Sequence, residues 1–109
     1  MHPESRFRKR VLTFLRVEVG GWWTKVHGGA FQTTGLPDLI GAGLGICPHC
    51  GKVIPGHFTG LELKLGDREV TPRQLLVIRA IRVASGTAKV VRDEVGFRRL
   101  KDYYKALKG

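Results

Sequence analysis

Apolar residues recur at helical spacing near the start of the chain. They are Phe7, Val11, Phe14 and Leu15, and most of the intervening positions are Arg or Lys. An apolar stripe with this period, opposed by basic faces, is typical of an amphipathic helix packed on a core. The pattern therefore predicts a first helix from Glu4 to about Val19, which the Gly20-Gly21 pair ends.

Two stretches after this helix are typical of β-strands. Residues 22–27 mix aromatic, polar and β-branched side chains, and Gly28-Gly29 closes them. A second strand is predicted from about Leu36-Pro37-Asp38 to Ala42, with Pro at its start, where a missing N–H is tolerated.

The third predicted strand, from about Phe58 to Leu65, has the strongest alternation in the chain. Leucines occupy every second position from Leu61, and Glu62 and Lys64 fall between them. Because successive strand residues point to opposite faces, these two polar side chains share one face, about 7 Å apart.

The remaining patterns predict helix, strand and helix. Thr71-Pro72 is a good N-cap and first-turn pair for a helix that stops by Gly86. Residues 88–92 form a short β-branched strand, and residues 96–108 a last helix with aromatic residues on one side. Together these elements predict one α/β domain over residues 1–109, with a mixed sheet of about four strands flanked by helices.

The net charge of the chain indicates which class of molecule it binds. The 109 residues include 19 Lys and Arg against nine Asp and Glu, a formal charge of +10, which favours binding to a polyanion such as nucleic acid. No apolar run is long enough to cross a bilayer, and the N-terminus lacks the apolar core of a secretory signal. We expect a cytoplasmic, DNA-binding protein without a membrane span.

Asp38, Glu62 and Lys64 are the candidate chemical residues. Phosphodiester hydrolysis needs a divalent cation, carboxylates to hold it, and a cation or base to orient water. If the second and third strands pair, Asp38 meets Glu62, and the main-chain carbonyl of Leu63 can join them as a metal ligand. By spacing alone, an ordinary turn aspartate and a half-exposed strand explain the same residues.

Five ordered stretches add a resemblance. KVHGG from Lys25, GLPDLI from Gly35, LELK from Leu61, TPRQ from Thr71 and GTAKVV from Gly86 together resemble the virus-type replication-repair nuclease family, VRR-NUC, of the PD-(D/E)XK superfamily. The resemblance spans about three-fifths of the chain. It implies a restriction-endonuclease-like αβββαβ core followed by a C-terminal helix. It also implies dependence on Mg²⁺ or Mn²⁺ and endonucleolytic hydrolysis of DNA.

Small members of this family resemble Holliday-junction resolvases and act as homodimers. The resemblance therefore implies branched DNA, such as four-way junctions, as the substrate, and a homodimer as the assembly. A phage-encoded protein in a bacterial host fits the same family. The alternative function, from a different class, is a DNA-binding module that keeps the fold but does not cut.

The resemblance also assigns roles to residues. Asp38 and Glu62 become metal ligands, and Lys64 becomes the residue that positions and activates water. Gln74 matches a glutamine that faces the site, although it could instead only cap its own helix. Glu4 matches an acidic residue of the first helix, with Glu18 as the alternative at the opposite end of that stripe.

Lys25 and His27 lie in the KVHGG stretch and are candidate contacts to DNA phosphate. Their alternative interpretation is an ordinary strand end without a ligand. With four histidines and no arranged Ser or Cys nucleophile, a histidine-based triad is a weak competitor.

Residues 43–57 depart from the short hairpin that the family has between its two site strands. Cys47 and Cys50, in CPHCG, have the form of a zinc knuckle, with His57 as the better third ligand and His49 as the weaker one. Free thiols and a redox-active pair are the alternatives. We expect an inserted segment that could hold a structural Zn²⁺ and whose tip could reach DNA or a partner subunit.

Overall fold

A computed structural model describes residues 2–27 and 34–109 of the chain. Its elements are α1 (Pro3–Phe14), a π-helical turn (Leu15–Val19), β1 (Trp22–Lys25), β2 (Leu39–Ile46), β3 (Val53–Lys64), α2 (Pro72–Val83), β4 (Thr87–Arg92) and α3 (Asp93–Lys108). The predicted order of helices and strands is confirmed. The predicted strand end at Gly28-Gly29 lies outside the described residues.

The four strands form one mixed sheet in the order β1-β2-β3-β4. The first three strands are an antiparallel meander, whereas β4 lies parallel to β3. This parallel pairing follows from the chain path, because α2 carries the chain back across the sheet between β3 and β4. The α/β architecture with a mixed central sheet, predicted from the sequence, is confirmed.

Helices cover both faces of the sheet. The main core joins α1, the sheet and α3, and its buried members are Phe7, Val11, Leu15, Trp23, Leu39, Leu61, Val91, Phe97, Leu100 and Tyr104. On the other face, Gly60 lies so close to Ile81 of α2 that a Cβ there would meet the isoleucine methyl at 3.2 Å. Glu62 and Lys64 share this second face with Gly60 because strand side chains alternate.

The hairpin of β2 and β3 is longer than predicted. The sequence predicts a break from Gly43 to Gly56, yet β2 continues to Ile46 and β3 starts at Val53. Glycine is disfavoured in strands in general, but Gly43 makes room for an aromatic ring, because a Cβ there would lie 2.7 Å from the Trp23 ring. The inserted segment is therefore mostly strand, and only the turn from Cys47 to Lys52 separates the two strands.

The first and last helices also differ from the prediction at their ends. The regular part of α1 ends at Phe14, and the next five residues widen into the π-helical turn. The helix α3 starts at Asp93, three residues before the predicted Gly96. None of the helices in the described ranges has both the length and the apolar composition that a membrane crossing requires.

Candidate active site

The register of β2 and β3 brings Asp38 and Glu62 together. Leu39 pairs with Leu61, so that Asp38, just before β2, lies beside Glu62. The Asp38 Oδ2 atom accepts a hydrogen bond from the main-chain N–H of Leu63 at 2.8 Å. This bond fixes the aspartate at the open end of the hairpin, with its carboxyl group against that of Glu62.

Glu62 is the most deeply placed charged residue of the site. Its side chain is 2% exposed, and its Oε1 atom accepts a hydrogen bond from Gln74 Nε2 at 3.0 Å. The Lys64 ammonium, 7% exposed, lies 4.0 Å from the same Oε1 atom. The structure thus brings Asp38, Glu62, Lys64 and Gln74 into one cluster, as the sequence predicts.

The capping of α2 aims Gln74 at this cluster. Thr71 Oγ1 accepts a hydrogen bond from the Gln74 N–H at 3.1 Å, and Gln74 Oε1 accepts one from the Thr71 N–H at 2.9 Å. This reciprocal pair is a capping box, and it leaves the side-chain amide N–H of Gln74 free to donate to Glu62. Gln74 therefore both caps its helix and contacts the site.

Burial changes the acidity of Glu62. Removal from water, followed by hydrogen bonding and repulsion with Asp38, raises the pKa of Glu62 to about 8, while the charge of Lys64 acts in the opposite direction. Two carboxylates this close do not ionise together without added positive charge. A cation bound between them would supply that charge.

A polar cavity of about 160 Å³, here called the acid cavity, opens onto the cluster. It is lined by Glu4, Phe7, Arg8, Asp38, Glu62, Leu63, Lys64, Leu65, Arg68 and Gln74. Glu4 lies at this cavity and forms an ion pair with Arg68. Glu18 lines a different cavity, beside Lys9 and Arg10 on the surface of α1 and α3, so Glu4 is the acidic residue of the first helix that the fold brings to the site.

Arg8 and Arg68 were not predicted as site residues. Arg8 lies four residues after Glu4 on α1, so the helical period places both side chains on one side of the helix. That spacing is a signal that sequence reasoning could have used. Arg68 lies in the connection after β3, where the pattern of the chain offers no comparable signal.

The oxygen atoms around the acid cavity suit a hard divalent cation. Within the described residues, Glu62 Oε2 is buried and has no hydrogen-bond partner, and unpaired buried carboxylate oxygens are costly. The Leu63 carbonyl lies on the same edge of β3 as its N–H, and therefore also faces Asp38. Two carboxylates and one carbonyl match the ligands of Mg²⁺ or Mn²⁺, which keep water in their remaining positions.

In residues 2–27 and 34–109, no cluster of side chains forms a complete metal site by itself. No three or more His, Cys, Asp or Glu residues in these ranges lie close enough together to hold a metal ion. The acid cavity therefore depends on the Leu63 carbonyl and on water for further ligands.

Of the predicted zinc ligands, His57 does not join the two cysteines within the described residues. Cys47 and Cys50 lie in the turn Cys47–Lys52, here called the cysteine tip, where both thiols are free. His57 is instead buried within β3, and its Nε2 atom contacts Thr87 Oγ1 at 3.0 Å. The structure does not place His57 with the two thiols, and zinc binding at the cysteine tip stays a prediction with Cys47 and Cys50 as its donors.

Lys25 and His27 lie away from the acid cavity. They line a separate, mainly apolar groove between the sheet and α2, together with Pro37, Phe58 and Ile81. The main chain links this region to the site, since the Val26 N–H donates to the Asp38 carbonyl at 2.8 Å. Their predicted contact with DNA stays a prediction.

A scan against protein-family models found no match, and searches of curated proteins and of solved structures found no similar protein.

Proposed function

We propose that this protein is a Mg²⁺- or Mn²⁺-dependent deoxyribonuclease of the VRR-NUC type that hydrolyses phosphodiester bonds within DNA. The observation that carries the proposal is the meeting of the Asp38 and Glu62 carboxyl groups beside Lys64, at a cavity where Glu62 Oε2 accepts no hydrogen bond from an N–H donor of residues 2–27 and 34–109. Support also comes from the confirmed order of elements, which matches the core that the sequence resemblance implies. The formal charge of +10 favours a polyanionic substrate.

Asp38, Glu62 and the Leu63 carbonyl would hold the divalent cation. When bound, the cation neutralises negative charge that develops on the phosphate and lowers the pKa of water. Asp38 is positioned for this role by the Leu63 N–H, and Glu62 by the amide of Gln74. Both carboxylates are thus held by neutral donors, which fix their orientation without cancelling their charge.

Lys64 is the residue proposed to position the attacking water. Its ammonium shares the buried face of β3 with Glu62, so it lies within reach of a phosphate oxygen or a water molecule in the acid cavity. At the same cavity, Arg8 and Arg68 add guanidinium groups, which match the geometry of phosphate oxygens. Glu4, through its ion pair with Arg68, orients one of these groups.

Branched DNA is the proposed substrate class, and a homodimer the proposed assembly. Both follow from the resemblance to the resolvase-like members of the family. A dimer would place two acid cavities against one junction, so that two strands could be cut.

The test is cleavage of a labelled four-way junction, beside duplex and single-stranded controls, in Mg²⁺ or Mn²⁺. Wild type is compared with Glu62→Ala, with Glu62→Gln, and with Glu69→Gln as a matched control on an exposed acid outside the acid cavity. We expect metal-dependent cutting of the junction that both Glu62 variants lose and Glu69→Gln retains. Tight binding without cutting of any substrate would favour the non-cleaving module, and cutting that survives in Glu62→Ala would contradict the proposed site.

A further inference from the structure

A basic groove runs along the outer edge of the sheet, between the end of α2 and the first half of α3. Its volume is about 590 Å³, and we call it the β4 groove because the last four residues of β4, from Lys89 to Arg92, line it. Four cationic side chains line it, namely Arg82, Lys89, Arg92 and Arg99. Within the described part of the chain, Asp93 is the one acidic residue in its lining.

Among the described residues, the four cations form no ion pairs. None of them forms a salt bridge in residues 2–27 and 34–109, where ion pairs occur only at Arg10, Lys64 and Arg68. Asp93 accepts a hydrogen bond from the Gly66 N–H at 2.9 Å through its Oδ1 atom, and its negative charge offsets one of the four positive charges. The β4 groove therefore carries a net positive charge.

Neutral groups hold the cations in place. Arg82 donates from Nε and Nη2 to the Ala88 carbonyl at 3.1 and 2.7 Å, and Arg92 donates from Nη1 to the Gly66 carbonyl at 2.8 Å. A guanidinium has five N–H donors, so each retains hydrogen atoms for an anion. Fixing such side chains before an anion binds reduces the entropy lost on binding.

Lys89 lies against an aromatic ring of α3. Its ammonium lies 4.1 Å from the centroid of the Tyr103 ring, which shields it from water on one side. Burial, followed by repulsion from Arg82, lowers the pKa of Lys89. An anion bound in the groove would offset this repulsion.

The β4 groove begins next to the acid cavity. Because β4 is parallel to β3, Arg92 pairs with Lys64 and Val90 with Glu62, one strand spacing of about 4.8 Å away. A polyanion held at Lys64 can thus continue across the end of β4 toward Lys89 and Arg82. A free anion or an isolated acidic side chain would not use this continuity.

We propose that the β4 groove is a second DNA-binding site, which holds the phosphodiester backbone of the strand that continues from the acid cavity. The proposal rests on the proposed function only for the identity of the polyanion. The groove offers guanidinium and ammonium groups, which match phosphate oxygens, and a tyrosine ring. Contacts to phosphate carry no sequence information, so the contribution of these cations to binding should be independent of DNA sequence.

The experiment measures DNA affinity without cleavage. Binding of a labelled duplex and a labelled four-way junction is followed by fluorescence anisotropy in EDTA, over a series of salt concentrations. The groove variants are Lys89→Gln, Arg99→Gln and the double variant. Their matched controls are Lys105→Gln on α3 and Arg79→Gln on α2, which remove the same charge from exposed positions outside the groove.

We expect the double groove variant to lose roughly tenfold in affinity at physiological salt, on DNA of any sequence. The slope of log K against log salt should fall by about 1 to 2, since each lost phosphate contact removes about 0.9 from it. The control variants should keep the slope of wild type. Urea unfolding of each variant identifies any change that comes from loss of structure.

Three outcomes would overturn the proposal. Groove variants that match their controls would show that the β4 groove does not contact DNA. If the groove variants lose as much affinity for polyglutamate as for DNA, compared at the same charge concentration, the groove would be assigned to acidic protein partners. Wild type that fails to bind DNA would overturn it as well. If the groove variants bind DNA like their controls while cleavage in Mg²⁺ is intact, the groove proposal fails and the proposed function is unaffected. If binding depends on the groove but no substrate is cleaved, the proposed function fails and the groove proposal is unaffected.

Discussion

The acid cavity and the cysteine tip both carry candidate metal ligands, yet they are built in opposite ways. The ligands of the acid cavity come from the start of β2 and from β3, and α2 adds Gln74. Those of the cysteine tip come from one exposed turn, closed by the Gly51 N–H donating to the Cys47 carbonyl at 2.8 Å. Convergence of several elements buries the first set, whereas the second set is held by local contacts alone.

The two regions have opposite effects on the ionisation of their candidate ligands. At the acid cavity, burial disfavours the ionised carboxylate and raises the pKa of Glu62. At the cysteine tip, the backbone N–H groups of His49 and Cys50 stabilise a thiolate and lower the pKa of Cys47. A bound cation would thus relieve repulsion in the cavity, while at the tip it would meet a thiolate that the turn already favours. A pair of ligands in the sequence therefore does not by itself indicate how strongly the fold depends on a metal.

The largest effect should come from Asp38→Asn. The amide oxygen can still accept the Leu63 N–H, so the fold is preserved, but one of the two negative charges at the cation site is lost. Cleavage should fall by about 10³-fold or more, the equivalent of several kcal/mol of transition-state stabilisation. Asp102→Asn, the same change on the exposed face of α3, should cut like wild type. Equal rates for the two variants in a single-turnover assay would refute the role of Asp38.

A second, smaller effect isolates the contact from α2. In Gln74→Glu, a carboxylate oxygen can still accept the Thr71 N–H, but the donor to Glu62 is replaced by a like charge. Outer partners of metal ligands are worth about 10- to 100-fold in metal affinity, so the Mg²⁺ concentration for half-maximal cleavage should rise by that factor. Gln74→Ala, which also breaks the capping box, should lower the free energy of unfolding by about 1 kcal/mol. An unchanged Mg²⁺ dependence would reduce Gln74 to a helix cap.

How far the sequence predicts these two regions depends on the range of the interactions. The alternation at Glu62 and Lys64 and the cap at Thr71-Pro72 are local signals, and they correctly predict β3 and the start of α2. The extension of the hairpin through Gly43 and Gly45 could not be predicted, because it depends on rings that pack over glycines from Trp23 and His57. The same limit applies to Arg68, whose place at the acid cavity is set by the folded path of the loop after β3.

The raised pKa of Glu62 in the acid cavity should make the stability of the protein depend on pH. Between the ordinary glutamate value of 4.5 and about 8, native Glu62 retains a proton that the unfolded chain has released. The metal-free protein should therefore lose stability as pH rises through this window, by at most about 1.4 kcal/mol per pH unit. Urea unfolding of wild type and Glu62→Gln tests this, and the variant should show a flatter profile. Parallel profiles for the two proteins would exclude Glu62 as the source.

The smallest effect should come from the cysteine tip. The double variant Cys47→Ser with Cys50→Ser changes an exposed turn that contributes nothing to the main core, so cleavage should stay within about twofold of wild type. For the same reason, a chelator selective for zinc should leave the thermal unfolding midpoint within a few degrees of its original value. Elemental analysis of the purified protein then decides whether the two thiols hold zinc at all. Unfolding on chelation would mean that Cys47 and Cys50 bind zinc together with ligands from elsewhere, such as a second copy of the chain. The cysteine tip would then, like the acid cavity, combine ligands from several parts of the structure.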